Sequence, residues 1–134
     1  MKRLLLSSLC LLLLCSASLL AHHSVAAECD VHRVVTISGV VTRVDWMRPH
    51  IYYVVKVTDS AGKATTWEAE GLNLEGMAEN GITKETVRIG DSVVISGYPS
   101  KKPNSNRVAF THLTLRNGKT FEVDPLHWTI PAKK

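Results

Sequence analysis

The stretch VVTISGVVTRVDW at positions 34–46, followed after Met47-Arg48-Pro49 by HIYYVVKVT at 50–58, decides the fold class. In the second run Ile51, Tyr53, Val55 and Val57 alternate with His50, Tyr52, Val54 and Lys56. A period of two places one set inward and the other outward on a half-buried strand. The first run is β-branched for most of its length, which favours the pleated strand. Gly39 inside it permits the bulge or sharp bend that a small barrel needs at a corner. Arg48-Pro49 separates the two strands.

Working outward, Ser60-Ala61-Gly62 reads as a hairpin turn leading to a third strand at 65–70, with Trp67 and Ala69 on one face and Thr66, Glu68 and Glu70 on the other. Between Gly71 and Gly81 the alternation stops, and Leu72, Leu74, Met77 and Ala78 fit a short amphipathic helix. A fourth strand follows at 92–98. Its apolar run Val93-Val94-Ile95 suggests burial on both faces or a barrel junction. After the polar, basic segment 99–106 comes a fifth strand at 107–115, the turn Asn117-Gly118 and a short return at 119–122. The order predicts an all-β (mainly β) domain: an OB-like five-stranded small barrel with one short helix between strands 3 and 4. An open β-sandwich or meander is the competing arrangement.

The whole chain has 134 residues, 16 Lys+Arg, 12 Asp+Glu, three Cys and 45% hydrophobic residues. Part of this belongs to an export signal. Lys2 and Arg3 precede a Leu-rich run from Leu4 to Leu20 and then Ala21, the order of a secretory signal peptide cleaved after Ala21. An uncleaved membrane anchor is the alternative, since the Leu-rich run of 17 residues approaches the length of a bilayer span. Leu9 before Cys10 and Leu14 before Cys15 argue against lipidation. The expected layout is a signal peptide at 1–21, a histidine-containing segment at 22–33, the barrel at 34–122 and a tail at 123–134. The expected location is periplasmic or secreted, with no stable membrane insertion after cleavage and a monomeric state.

The 113 residues after Ala21 contain 15 Val, 6 Ile and 11 Thr against 5 Leu, and their net charge is +2. They also hold all six histidines but only Cys29 among the cysteines, so an internal disulfide is excluded. Cys29 reads as a small packed residue near the N-terminus. A low net charge and dispersed aromatics do not make the basic, stacking groove that single strands require, so no nucleic-acid partner is expected. No phosphate loop, nucleophile elbow, HExxH or structural-zinc motif is present, and enzymatic activity has no positive signal.

Two constellations carry chemistry. Cleavage after Ala21 makes His22 the new N-terminus, followed by His23 and Ser24. An N-terminal histidine supplies an amine and an imidazole, a donor pair suited to copper or zinc. Candidates for a third nitrogen are His23, His32, His50 and His112. A cut one residue earlier places histidine third from the amine, another Cu(II) or Ni(II) arrangement. The second constellation is Asp45-Trp46-Met47-Arg48-Pro49-His50, where an aromatic, a cation and an imidazole share a loop on a rigid scaffold. The expected metal ligands are His22, His23 and His50. The expected ligand-binding residues are Trp46, Arg48, Trp67 and Glu70. Trp46 also fits a barrel plug, and Glu68 with Glu70 also fits an acidic solvent face, which is the commoner reading of that pattern.

His22-His23-Ser24 directly after the signal, Ile37-Ser38-Gly39-Val40-Val41 leading to Trp46, Pro49-His50, Gly62, Trp67 with Glu70, Gly81, Gly90-Asp91-Ser92-Val93 and Asn117-Gly118-Lys119 together resemble domain of unknown function 6152, a family of small exported bacterial proteins. The likeness covers nearly all of the chain after the signal. This chain departs from the family pattern at Arg48, where Asn is usual, at Ile82, where an aromatic is usual, and at Cys29. The resemblance implies an exported β domain, supplies no activity, and adds weight to the histidines. Three functions compete: a periplasmic metal-handling module using His22, His23 and His50; a non-catalytic envelope module whose face around Trp46, Tyr52 and Trp67 contacts a protein or small ligand; and a copper redox enzyme built on an N-terminal histidine.

Overall fold

The computed structural model describes residues 24–127; the expected signal peptide at 1–21, His22, His23 and the residues from Trp128 lie outside the described residues. A short helix α1 (Val25–Glu28) precedes the strands β1 (Val35–Asp45), β2 (Tyr52–Thr58) and β3 (Ala64–Glu70). Helix α2 (Leu74–Glu79) follows, then β4 (Ser92–Pro99), β5 (Arg107–Leu115) and β6 (Thr120–Glu122). The predicted order is therefore present, with α1 as an addition that no periodic pattern announces.

β1 serves two partners. Its first half, Val35–Val40, pairs with β4, and its second half, Val40–Asp45, pairs with β2, both antiparallel. The handover occurs where Gly39 and the irregularity between Val41 and Arg43 sit. A Cβ on Gly39 would lie 2.3 Å from the Lys56 carbonyl oxygen, so the bend rests on the missing side chain. The bulge expected at Gly39 stands two to four residues later, and Gly39 supplies close approach.

β2 pairs with β3, β4 with β5 and β5 with β6, all antiparallel. The sheet then closes on itself through a parallel pairing of β3 with β5, Glu68 with Arg107, Ala69 with Val108 and Glu70 with Ala109. β1 to β5 thus make a closed five-stranded barrel of OB type, and β6 extends the far half of β5. Closure tightens at Gly97, where β4 carries its own irregularity: a Cβ there would stand 2.2 Å from the Ala109 oxygen and 2.6 Å from the Phe110 Cα.

Ile37, Val41, Tyr53, Val55, Ala69, Val93, Ile95, Phe110 and Leu113 fill the interior. Tyr53 and Phe110 meet with ring centroids 6.0 Å apart. α2 covers one end with Met77, which is fully buried beside Ile82. Asn73 starts that helix by accepting a 2.8 Å bond from the Gly76 amide, the usual service of an N-cap. The β3 approach is set by Asp59, whose Oδ1 accepts from the Ala61 and Lys63 amides at 2.9 Å around Gly62. One expectation is corrected: Val94 is 39% exposed between buried Val93 and Ile95. β4 is covered on its inner face alone, so the apolar run marks a half-buried strand.

These close approaches predict unequal costs for the same substitution. Gly97→Ala forces a methyl into backbone and should destabilise by roughly 2 kcal/mol or more. Gly62→Ala meets open space and only a strained positive φ, and should cost about 1 kcal/mol. Urea unfolding of both variants beside the wild type checks the ranking; equal midpoints would contradict it.

Candidate functional site

Closure places side chains from distant parts of the chain in rows across the outer face. Registered partners Arg43, Val54, Glu68 and Arg107 form one row over β1, β2, β3 and β5. Asp45, Tyr52, Glu70 and Ala109 form the next. His50, two residues before β2, stands at the end of the second row.

Glu70 is the centre. Its Oε1 accepts from His50 Nδ1 and, at 3.1 Å, from the Tyr52 hydroxyl. Its Oε2 lies 2.9 Å from Arg107 Nη2, which also donates to the Tyr52 oxygen at 2.8 Å. The Arg107 guanidinium carbon sits 5.2 Å from the centre of the Tyr52 ring, within cation–π range. The Glu70 side chain is 16% exposed. Burial alone would raise its carboxyl, but the His50 hydrogen bond, the Arg107 charge and the Tyr52 hydroxyl outweigh it and hold the group below the usual carboxylate range. Tyr52 moves the other way: burial first, and then the Glu70 charge, push its hydroxyl up to about 12. Tyr52 therefore stays a donor.

An ionised Glu70 only accepts, so His50 donates from Nδ1 and its neutral form carries the proton there. Nε2 is then the bare nitrogen, and it has no hydrogen-bond partner among the described residues. A carboxylate holding one ring nitrogen while the other stays open is the support that metal-binding histidines use. Among the described residues no three His, Cys, Asp or Glu side chains converge in a group able to hold a metal. His50 contributes one open ring nitrogen to this face.

The other sequence-derived candidates are dispersed. Arg48 is exposed and pairs with Glu75 of α2, joining the β1–β2 loop to the helix. Trp46 and Trp67 are half-buried and pack against the core, the plug role for Trp46; Trp67 also lines the groove along the first row. The solvent-face reading of Glu68 and Glu70 is corrected for Glu70, because β5 closes over it and brings Arg107. His112 lies on β5 next to Thr111, its Nε2 3.9 Å from Glu122, and His32 sits in a turn at Asp30. His22 and His23 lie outside the described residues.

Arg107 has no mark in the sequence, since only the parallel pairing of β3 with β5 sets it beside Glu70. Cys29 is buried against the same strand: it pairs with Ser100, has a backbone hydrogen bond with Ala109 and feels the charges of Glu70 and Arg107. Burial pushes its thiol up, which keeps it unreactive.

The depressed Glu70 carboxyl makes the cluster acid-sensitive. Its contribution to stability is complete above the pKa of an unfolded Glu and is lost as pH falls through the lower folded value. In metal-free buffer, wild-type protein should therefore lose more melting temperature than Glu70→Gln between about pH 5 and pH 3. At neutral pH the variant should be about 1–3 kcal/mol less stable. Parallel acid profiles of the two proteins would contradict the cluster.

A search of the curated proteins finds no match. Among solved structures, the mitochondrial single-stranded DNA-binding protein of S. cerevisiae superposes with a TM-score of 0.48 at 14% identity, over 63% of this chain and 93% of that one. The model of the family described as "Family of unknown function (DUF6152)" matches residues 11–110. The chain belongs to that family.

Proposed function

We propose that this is an exported, periplasmic metal-binding module in which His50 and the N-terminal histidines His22 and His23 hold one copper or zinc ion. The observation that carries the reading is the Glu70–His50 pair, with Nδ1 engaged and Nε2 open. Glu70 orients the ring and raises its basicity, while Tyr52 and Arg107 keep Glu70 ionised and fixed. Loss of such an outer partner costs about 10- to 100-fold in metal affinity.

The N-terminal segment is tied down near this face. The Asp30 amide donates to the Pro99 oxygen, the Lys101 amide to the Glu28 oxygen, and Lys101 Nζ to the Ala26 oxygen at 2.6 Å. Cys29 lies beside Ala109, the β5 partner of Glu70. From Cys29 back to His23 there are six residue steps, three within the helix and three outside it, a path of at most about 15 Å. Two strand spacings, about 10 Å, separate Ala109 from the row position of Tyr52, beside which His50 stands. The lengths allow His22 and His23 to meet His50 Nε2. The ion would be held by neutral imidazoles and the new terminal amine, a nitrogen-rich set that favours Cu(II) over Mg(II) or Ca(II).

The test uses protein recovered from the periplasm of expressing cells, with its N-terminus fixed by intact mass. The expected mass begins at His22, and titration should take up one Cu(II) per chain. His22→Ala and His50→Ala should each weaken binding by at least about tenfold, and Glu70→Gln by 10- to 100-fold. Unchanged affinity in His50→Ala, with the variant folded by circular dichroism, would overturn the site.

A further inference from the structure

The register between β1 and β2 reaches past the ends of both strands. Arg43 pairs with Val54, Val44 with Tyr53 and Asp45 with Tyr52. Carried two residues further, the same antiparallel register sets Trp46 opposite Ile51 and Met47 opposite His50, with the chain bending between them at Arg48 and Pro49. Burial follows this alternation. Ile51 is fully buried and Trp46 packs on the core, so Met47 and His50 fall on the outer face with Asp45, Tyr52 and Glu70. Residues directly opposed on one face of an antiparallel pair stand about 5 Å apart at Cβ, close enough for two long side chains to meet at their tips.

Met47 is 60% exposed and takes no part in the core, whereas Met77, the other methionine among the described residues, is fully buried. A single exposed apolar side chain is ordinary on a protein surface. The open imidazole nitrogen across the turn sets this one apart. The two sides of the turn are also held differently. His50 is fixed through Nδ1 by Glu70, and Ile51 beside it exchanges backbone bonds of 2.9 and 2.8 Å with Leu72 and Gly71. Met47 keeps an unbranched side chain with three rotatable bonds, which can adapt to an ion on the fixed ring.

Charged groups at this end of the barrel are already paired. Asp45 holds Arg43 at 2.9 Å, Glu70 holds His50 and Arg107, and Arg48, the cation within the turn, is drawn to Glu75 of α2. The donors this leaves across the turn are an imidazole nitrogen and a thioether sulfur. Thioether sulfur is soft and selects Cu(I), and imidazole suits copper as well. Zinc sites draw on thiolate, imidazole and carboxylate instead. We infer, resting on the reading of His50 Nε2 as a ligand nitrogen, that Met47 Sδ joins it in a Cu(I) site. The ion arrives as Cu(I) and stays so, and no electron is transferred on binding. His22 and His23 are not required for this pair, so the chain holds reduced copper by one sulfur and one nitrogen and oxidised copper by nitrogens.

The experiment uses the full chain recovered from the periplasm, kept free of oxygen, with Cu(I) supplied as its bicinchoninate complex. The wild type should draw one Cu(I) per chain from the dye, and X-ray absorption of the product should show a copper–sulfur shell. Met47→Leu, a swap of similar volume, should lose that shell and weaken Cu(I) binding at least about tenfold, while Cu(II) affinity stays within about twofold. No transfer of Cu(I), a sulfur shell that survives Met47→Leu, or full Cu(I) affinity in that variant would overturn the inference. His50→Ala separates this site from the Cu(II) site. Weakening of both ions supports both, weakening of Cu(I) alone leaves the Met47–His50 pair standing without the N-terminal histidines, and unchanged affinity for both ions overturns both.

Discussion

Three parallel residue pairs, Glu68–Arg107, Ala69–Val108 and Glu70–Ala109, hold the rest of this structure together. Without them β3 and β5 are two free edges, which would expose unpaired amides and carbonyls. With them the sheet is a barrel and the interior is sealed around Tyr53 and Phe110. The same pairs decide where chemistry can occur. A carboxylate at position 70 and a guanidinium at position 107 are remote in the chain and adjacent in the seam.

That adjacency explains why a glutamate tolerates burial at a closure point. A carboxylate stripped of water is unstable unless charges and donors replace the solvent. Here His50, Tyr52 and Arg107 supply three of them, and their combined effect exceeds the cost of burial. Each partner is in turn constrained by Glu70. Tyr52 is kept protonated, Arg107 is drawn over the Tyr52 ring, and His50 is held by one nitrogen. The cluster that stabilises the seam also leaves one histidine nitrogen open.

Most of the barrel was legible in the residues. The alternation from His50 to Thr58, the breaks at Pro49 and Gly62 and the aperiodic segment before Gly81 placed four elements within one or two residues. Val94 misled, because a run of three apolar side chains looks doubly buried until the open face beside it is known. The site was legible by half. His50 and Glu70 announce themselves by type, in a loop and on a short polar face. Their contact depends on register between β2 and β3, where Tyr52 stands opposite Glu70. Arg107 depends on a parallel pairing between strands 37 residues apart, and no local period encodes that. Trp46 and Arg48 drew notice by density in one loop, yet one packs on the core and the other pairs with Glu75.

Glu70 fixes His50 with a protonated Nδ1 and an available Nε2. A long-range proton–nitrogen NMR spectrum of the histidine rings, recorded at neutral pH before and after one equivalent of Zn(II), tests it most directly. The expected spectrum shows the Nδ1–H tautomer of His50 in the free protein and a large shift of Nε2 alone on adding the ion. An Nε2–H tautomer, or a His50 ring that zinc leaves unchanged, would contradict it.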